Sequence, residues 1–151
     1  IRRQRQMCIR DSLNDLRAEG RLVTIESALL RLYPVKETYG ERYPLPESLT
    51  LYTADENNVT EDVVTDISGS SVQTGSLVTD EMMGEDTYYS FDITSFLQSN
   101  LGTVGYNRKI LQLMLPDNLF FTTLSGVVFG DAGHPDSSPV KLTILYKTYN
   151  P

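Results

Sequence analysis

The sequence predicts an all-β fold, an antiparallel β-sandwich of jelly-roll type with one short helix near residues 95–101. Three observations predict it. Apolar residues alternate with polar ones at a period of two in several short segments. Turn-forming Gly, Pro, Asn and Asp separate those segments at regular spacing. The 151 residues are 40% hydrophobic, enough for one domain with a core of its own.

Each element follows from its pattern. Over residues 25–33, Glu26, Ala28, Leu30 and Leu32 share one face, and Ile25, Ser27, Leu29, Arg31 and Tyr33 share the other. The three apolar residues of the first face make it the core side, and Pro34 ends the strand. A loop of Tyr, Gly and Pro leads to a strand over 48–53, with Leu49 and Leu51 inward and Thr50 and Tyr52 outward. The acidic, Ser/Thr/Asn-rich stretch 54–84 predicts two short strands, at 63–67 and 72–78, between long loops. Alternation returns over 88–93, with Tyr89, Phe91 and Ile93 on one face. A helix then follows over 95–101, with Asp92 or Thr94 as its cap and Gly102 at its C-terminal stop. Its apolar residues, Phe96, Leu97 and Leu101, plug one end of the sandwich. Three strands complete the set, at 109–115, 125–129 and 140–149. In the last, Val140, Leu142, Ile144 and Tyr146 face in. Lys141 and Lys147 face out and guard an edge against aggregation.

Residues 1–12 (IRRQRQMCIRDS) match nothing else in the chain. They resemble the translated adapter string MCIRD that recurs at the ends of metagenomic proteins, and are read as a non-native segment. Residues 13–151 then form a single β-sandwich domain, expected to be the C-terminal part of a longer protein. The segment carries Arg2, Arg3, Arg5 and Arg10 against Asp11, so without it the net charge falls from −7 to −10. A body so acidic is repelled by nucleic-acid phosphates and by anionic lipid. Setting Cys8 aside leaves the body without cysteine, which excludes disulfides and thiol catalysis there. No apolar run is long enough to cross a bilayer, and no signal-peptide pattern is present.

Catalytic chemistry has little to build on. His134 is the single histidine and sits in a loop of turn-forming residues (GDAGHPDSSP), where an exposed side chain is expected. Gly-x-Ser-x-Gly, phosphate-binding glycine loops and His-rich metal motifs are absent. Carboxylate pairs, Asp80-Glu81 and Glu85-Asp86, could serve a glycoside hydrolase only with a raised pKa and an aromatic cleft, of which the sequence gives no sign. Asp55, Asn57 and Asp62 offer oxygen ligands for a structural calcium ion, although Val59 and Thr60 break the EF-hand pattern. Tyr33, Tyr52 and Tyr88 fall on outward positions, where a flat apolar ring with a polar tip suits sugars or protein partners. Tyr33 and Tyr52 are expected side by side if their strands pair.

The pieces IESALLRLYP, SLTLY, YYSFDITSFLQSNL, ILQLMLPD, VVFGD and PVKLTILYKTY occur in this order. Together they resemble the C-terminal part of a lipoprotein family of Bacteroidota that carries a domain of unknown function. The Phe91-Asp92-Ile93-Thr94 step into a helix and the Leu142–Tyr146 strand are the most telling pieces. The layout is also similar to DNRLRE-type jelly-roll modules, which are appended to secreted polysaccharide-acting enzymes. The resemblance covers roughly residues 22–149 and implies an exported outer-membrane lipoprotein, at the cell surface or in the periplasm. Its lipid anchor would lie on a cysteine outside this sequence. It carries over no catalytic residue. One departure is the lack of Trp, which sugar-binding sandwiches usually display.

Three roles follow as expectations. The first is a non-catalytic module that binds a glycan or an envelope protein. The second is an architectural domain packed on the remainder of its own full-length chain, and the third, least favoured, is a glycoside hydrolase. Fold class alone does not choose among them.

Overall fold

The structure, a computed structural model, describes residues 22–66, 68–79, 87–102, 109–130 and 140–149. Among these, seven antiparallel strands and two short helices form the all-β, sandwich-like fold that the alternation predicts. The strands are β1 (Leu22–Leu32), β2 (Ser48–Ala54), β3 (Thr60–Val63), β4 (Thr74–Val78), β5 (Tyr88–Asp92), β6 (Ile110–Met114) and β7 (Lys141–Tyr149). Helix α1 (Thr94–Gly102) follows β5, and α2 (Asp117–Phe120) follows β6.

Hydrogen bonds link all seven strands, in the order β3-β2-β4-β5-β1-β7, with β6 also on β2. The registers explain the branch. β6 lies along residues 50–54 of β2, so its partners on the opposite edge share the length of that strand. β3 takes residues 52–54 and β4 takes 48–50. The two are thus one line of pairing interrupted by an excursion. Val64 still donates to the Leu51 carbonyl, the bridge Thr65–Val72 closes the neck, and Gln73 donates back to Val64. At the tip Gly69 takes φ +71°, in the left-handed region that favours glycine.

One face of the sheet carries the core. Cross-strand rows bring together Leu30 and Phe91, Leu32 and Tyr89, Leu30 and Leu142, and Leu51 and Leu113. Tyr89 and Phe91 are fully buried, and Leu49 and Leu51 nearly so. Phe96 and Leu97 of α1, with Val127 and Phe129 of the segment after α2, close over this face. Gly75 is a packing requirement: a Cβ there would lie 2.2 Å from Cζ of Phe91, so the ring needs the missing side chain.

Four expectations are corrected. Strict alternation through residues 25–33 fails because β1 bulges between Ile25 and Ser27. The extra residue, Glu26, turns outward to meet Lys147, and Ile25 drops into the core at 1% exposure. The strand expected at 125–129 is instead an irregular segment held by the single bridge Phe129–Pro34 and by Val35 N–H donating to Val128 O, 2.8 Å. On β2, Thr50, expected to face water, is buried at 5% exposure. On β7, Leu142 and Ile144 face the core as expected, whereas Val140 and Tyr146 are 44% exposed.

The step from β5 into α1 matches the expected cap. Asp92 Oδ1 accepts from the Thr94 amide at 2.9 Å and from its hydroxyl. Where a continuing β5 would offer a carbonyl to β1, the Ile93 carbonyl instead accepts from Leu97 to start the helix. Thr94 Oγ1 takes over and accepts from the buried Ala28 amide at 2.9 Å. One turn later Gln98 donates to the Ile25 carbonyl at the bulge, 2.8 Å.

Candidate functional site

The face of the sheet opposite the core carries the tyrosines that matter. Tyr33 follows the last residue of β1, and Tyr88 opens β5. The pairing of Leu32 with Tyr89 sets these two outward residues next to each other. Their ring centroids are 5.5 Å apart at an interplanar angle of 48°. Both rings are half-buried.

The neighbouring row follows from the same registers. Arg31 pairs with Lys141 on β7 and with Ser90 on β5, and Ser90 pairs with Ser76 on β4. A line of two cations and two hydroxyls therefore runs across four strands beside the two rings. The Arg31 guanidinium carbon lies 4.9 Å from the centroid of Tyr88, and Lys141 Nζ lies 5.2 Å from that of Tyr33. Each cation braces a ring through its quadrupole and keeps its own donors at the surface. The site thus combines flat apolar rings, hydroxyl donors and acceptors, and local positive charge on a chain whose net charge is −7.

Tyr52 does not join them. It sits on β2 between Val63 and Gln112, and β4 and β5 separate β2 from β1, so the expected pairing of Tyr33 with Tyr52 is corrected. Tyr33 with Tyr88 is the pair the fold creates. The sequence does not mark Arg31, Ser76 and Ser90 as site residues, and it marks Lys141 only as a guard of an edge. Their outward parity was readable, but their adjacency depends on a strand order that period-two patterning does not encode.

The three oxygen donors proposed for calcium lie on and beside the β2–β3 turn. Asp55 Oδ1 accepts from the amides of Asn57 and Val59, each at 2.8 Å, and Asp62 Oδ1 accepts from Val63 at 2.8 Å. Those oxygens shape the hairpin, in which Asn58 takes φ 63°. Among the described residues no three metal-type side chains converge. At the excursion tip, Asp66 accepts from the Ser68 hydroxyl and the Ser70 and Ser71 amides, which hold its carboxyl below the ordinary 3.8.

An open cleft of about 280 Å³ lies beside α1, between Phe96, Ser95, Thr53, Asp62, Thr65 and Lys109. Its polar groups are engaged with the protein. Ser95 donates to the Thr65 carbonyl at 3.2 Å, Thr53 to the Asp62 carbonyl at 3.3 Å, and Lys109 pairs with Glu61 at 3.3 Å. Cys8, Asp80, Glu81, Glu85, Asp86, Tyr106 and His134 lie outside the described residues. Comparison of the chain with models of known families, with curated proteins and with solved structures finds no match.

Proposed function

We propose that this domain is a non-catalytic glycan-binding module of an exported cell-envelope lipoprotein, and that the Tyr33–Tyr88 pair is its binding platform. The observation that carries the reading is the pair itself, flanked by the Lys141–Arg31–Ser90–Ser76 row. Sugar rings present C–H faces that stack on aromatic rings and rims of hydroxyls that exchange hydrogen bonds with Ser, Arg and Lys. Two half-buried tyrosines lose little conformational freedom on binding, which favours a preformed surface. The paired rings take the place of the Trp that this chain lacks.

The test is a thermal-shift panel of soluble bacterial, plant and host polysaccharides against the 151-residue chain. A ligand at a hundred times its Kd stabilises by about 2.7 kcal/mol, or roughly 5–11 °C for a chain of this size. A shift that Tyr33→Ala and Tyr88→Ala both remove supports the platform. If every glycan leaves the melt unchanged, the reading fails.

A second reading has one observation in its favour. Phe121 and Leu124 are 92% and 106% exposed, and Val128 is 53% exposed, all within the segment that follows α2. Such an apolar stretch suits an architectural role, packed on another part of a longer chain. Hydrogen exchange over residues 121–128 that is slower in a longer form of the protein than in this chain favours that role.

A further inference from the structure

The apolar row of the core does not stop where the sheet does. Among the described residues, β7 is paired with β1 along its whole length and with no strand on its other side. On its inner row Leu142 and Ile144 pack against the core yet stay only half-buried, and Tyr146 is 44% exposed. On its outer row stand Lys141, Thr143, Leu145, Lys147 and Tyr149, with Leu145 58% and Tyr149 53% exposed. A nine-residue edge thus offers unpaired backbone, an apolar row open on one side, and an outer row whose only charges are lysines. The charges that face it from β1 are Arg31 beside Lys141 and Glu26, which pairs with Lys147. The opposite edge, β6, is five residues long and carries no charge (ILQLM).

We infer that the β7 edge receives an extended strand of a partner protein in which acidic and apolar residues alternate. Strand addition satisfies the free amides and carbonyls, and the partner's apolar positions extend the row of Leu142, Ile144 and Tyr146. Its acidic positions then fall beside Lys141 and Lys147, where opposite charges across strands attract. A second copy fits less well. Antiparallel pairing centred on Ile144 sets Lys141 against Lys147, and pairing centred on Leu145 sets Lys141 against Tyr149 and Lys147 against Thr143, so neither brings an acidic residue of the copy opposite a lysine. The lysines that deny the edge to a copy of itself select an acidic strand. This inference does not depend on the glycan reading.

The probe is a labelled ten-residue peptide of alternating valine and glutamate, with a valine–lysine peptide as its counterpart. Fluorescence anisotropy reports binding to the 151-residue chain, and amide hydrogen exchange reports where. The glutamate peptide is expected to bind at least tenfold more tightly than the lysine peptide and to slow exchange within 141–149. Lys141→Glu together with Lys147→Glu should reverse the preference. Lys141→Glu alone, which leaves the Glu26 pair intact, should reduce it. Equal affinity for the two peptides, protection outside β7, or no binding by either overturns the inference. So does β7 protection that grows with protein concentration and needs no peptide, because a second copy is then the occupant.

Discussion

Thr94 and Tyr89 are single residues whose buried oxygens decide how the chain closes. Thr94 is 1% exposed and its hydroxyl is the acceptor for the buried Ala28 amide. Thr94→Ala leaves that amide without a partner and is expected to destabilise by about 1–3 kcal/mol in urea unfolding, while Thr94→Ser keeps most of the stability. An alanine variant as stable as the wild type would show that another acceptor replaces the hydroxyl. Tyr89, fully buried, donates to the Pro46 carbonyl at 2.6 Å. Burial pushes its hydroxyl well above the ordinary value of 10, since the phenolate cannot be hydrated there. The sign follows: a pKa raised in the fold gives stability that is complete below about pH 10 and is lost as pH rises beyond it. Tyr89→Phe should lower stability at pH 7 by about 1 kcal/mol. It should also flatten the alkaline decline in melts taken between pH 8 and 11. A decline as steep in the variant as in the wild type would place its cause elsewhere.

The elements differ in how far the sequence reveals them. Alternation located five of the seven described strands to within a few residues, and the Asp92–Thr94 cap located α1. β4 lies inside the expected 72–78 strand, whereas β3 (Thr60–Val63) meets the expected 63–67 strand only at Val63. Three features escaped for physical reasons. The bulge at Glu26 is invisible to a period-two reading, because one inserted residue changes the parity of everything before it. The 125–129 segment has strand composition but pairs through one bridge, so its conformation is set by what it covers and not by propensity. The split of one pairing line into β3 and β4 depends on the 64–73 excursion, whose polar residues carry no periodic signal. Gly75 was equally silent, as its role is defined by the ring of Phe91 on the neighbouring strand. Gly75→Ala is expected to cost about 1–3 kcal/mol through overpacking. Combined with Phe91→Leu, the loss should be less than the sum of the two single changes, measured as a double-mutant cycle. Strict additivity would mean that the ring and the glycine are not in contact.

At the level of the molecule, the site was half legible. Tyr33 and Tyr88 could be named because each is outward by parity, and Tyr52 was named with them for the same reason. Only strand order separates Tyr52 from the pair, and strand order comes from long-range pairing that no local pattern records. The same order assembles Arg31, Lys141, Ser76 and Ser90 from four different strands. It also leaves β7, with its lysines, at the end of the sheet, where the reading of residues 140–149 expected a guarded edge. One sheet therefore has three distinct surfaces: a core face closed by α1 and the 121–130 segment, an outer face with the tyrosine pair, and an open edge. The central claim is that the outer face binds sugar through its two rings. It is tested most directly by titrating the glycan that gives the largest thermal shift into the wild-type chain and into Tyr88→Ala, with far-UV circular dichroism to establish that both are folded. The account predicts at least tenfold weaker binding by the folded variant, about 1.4 kcal/mol. Equal affinity in the two folded proteins would contradict it and remove the glycan site from this face.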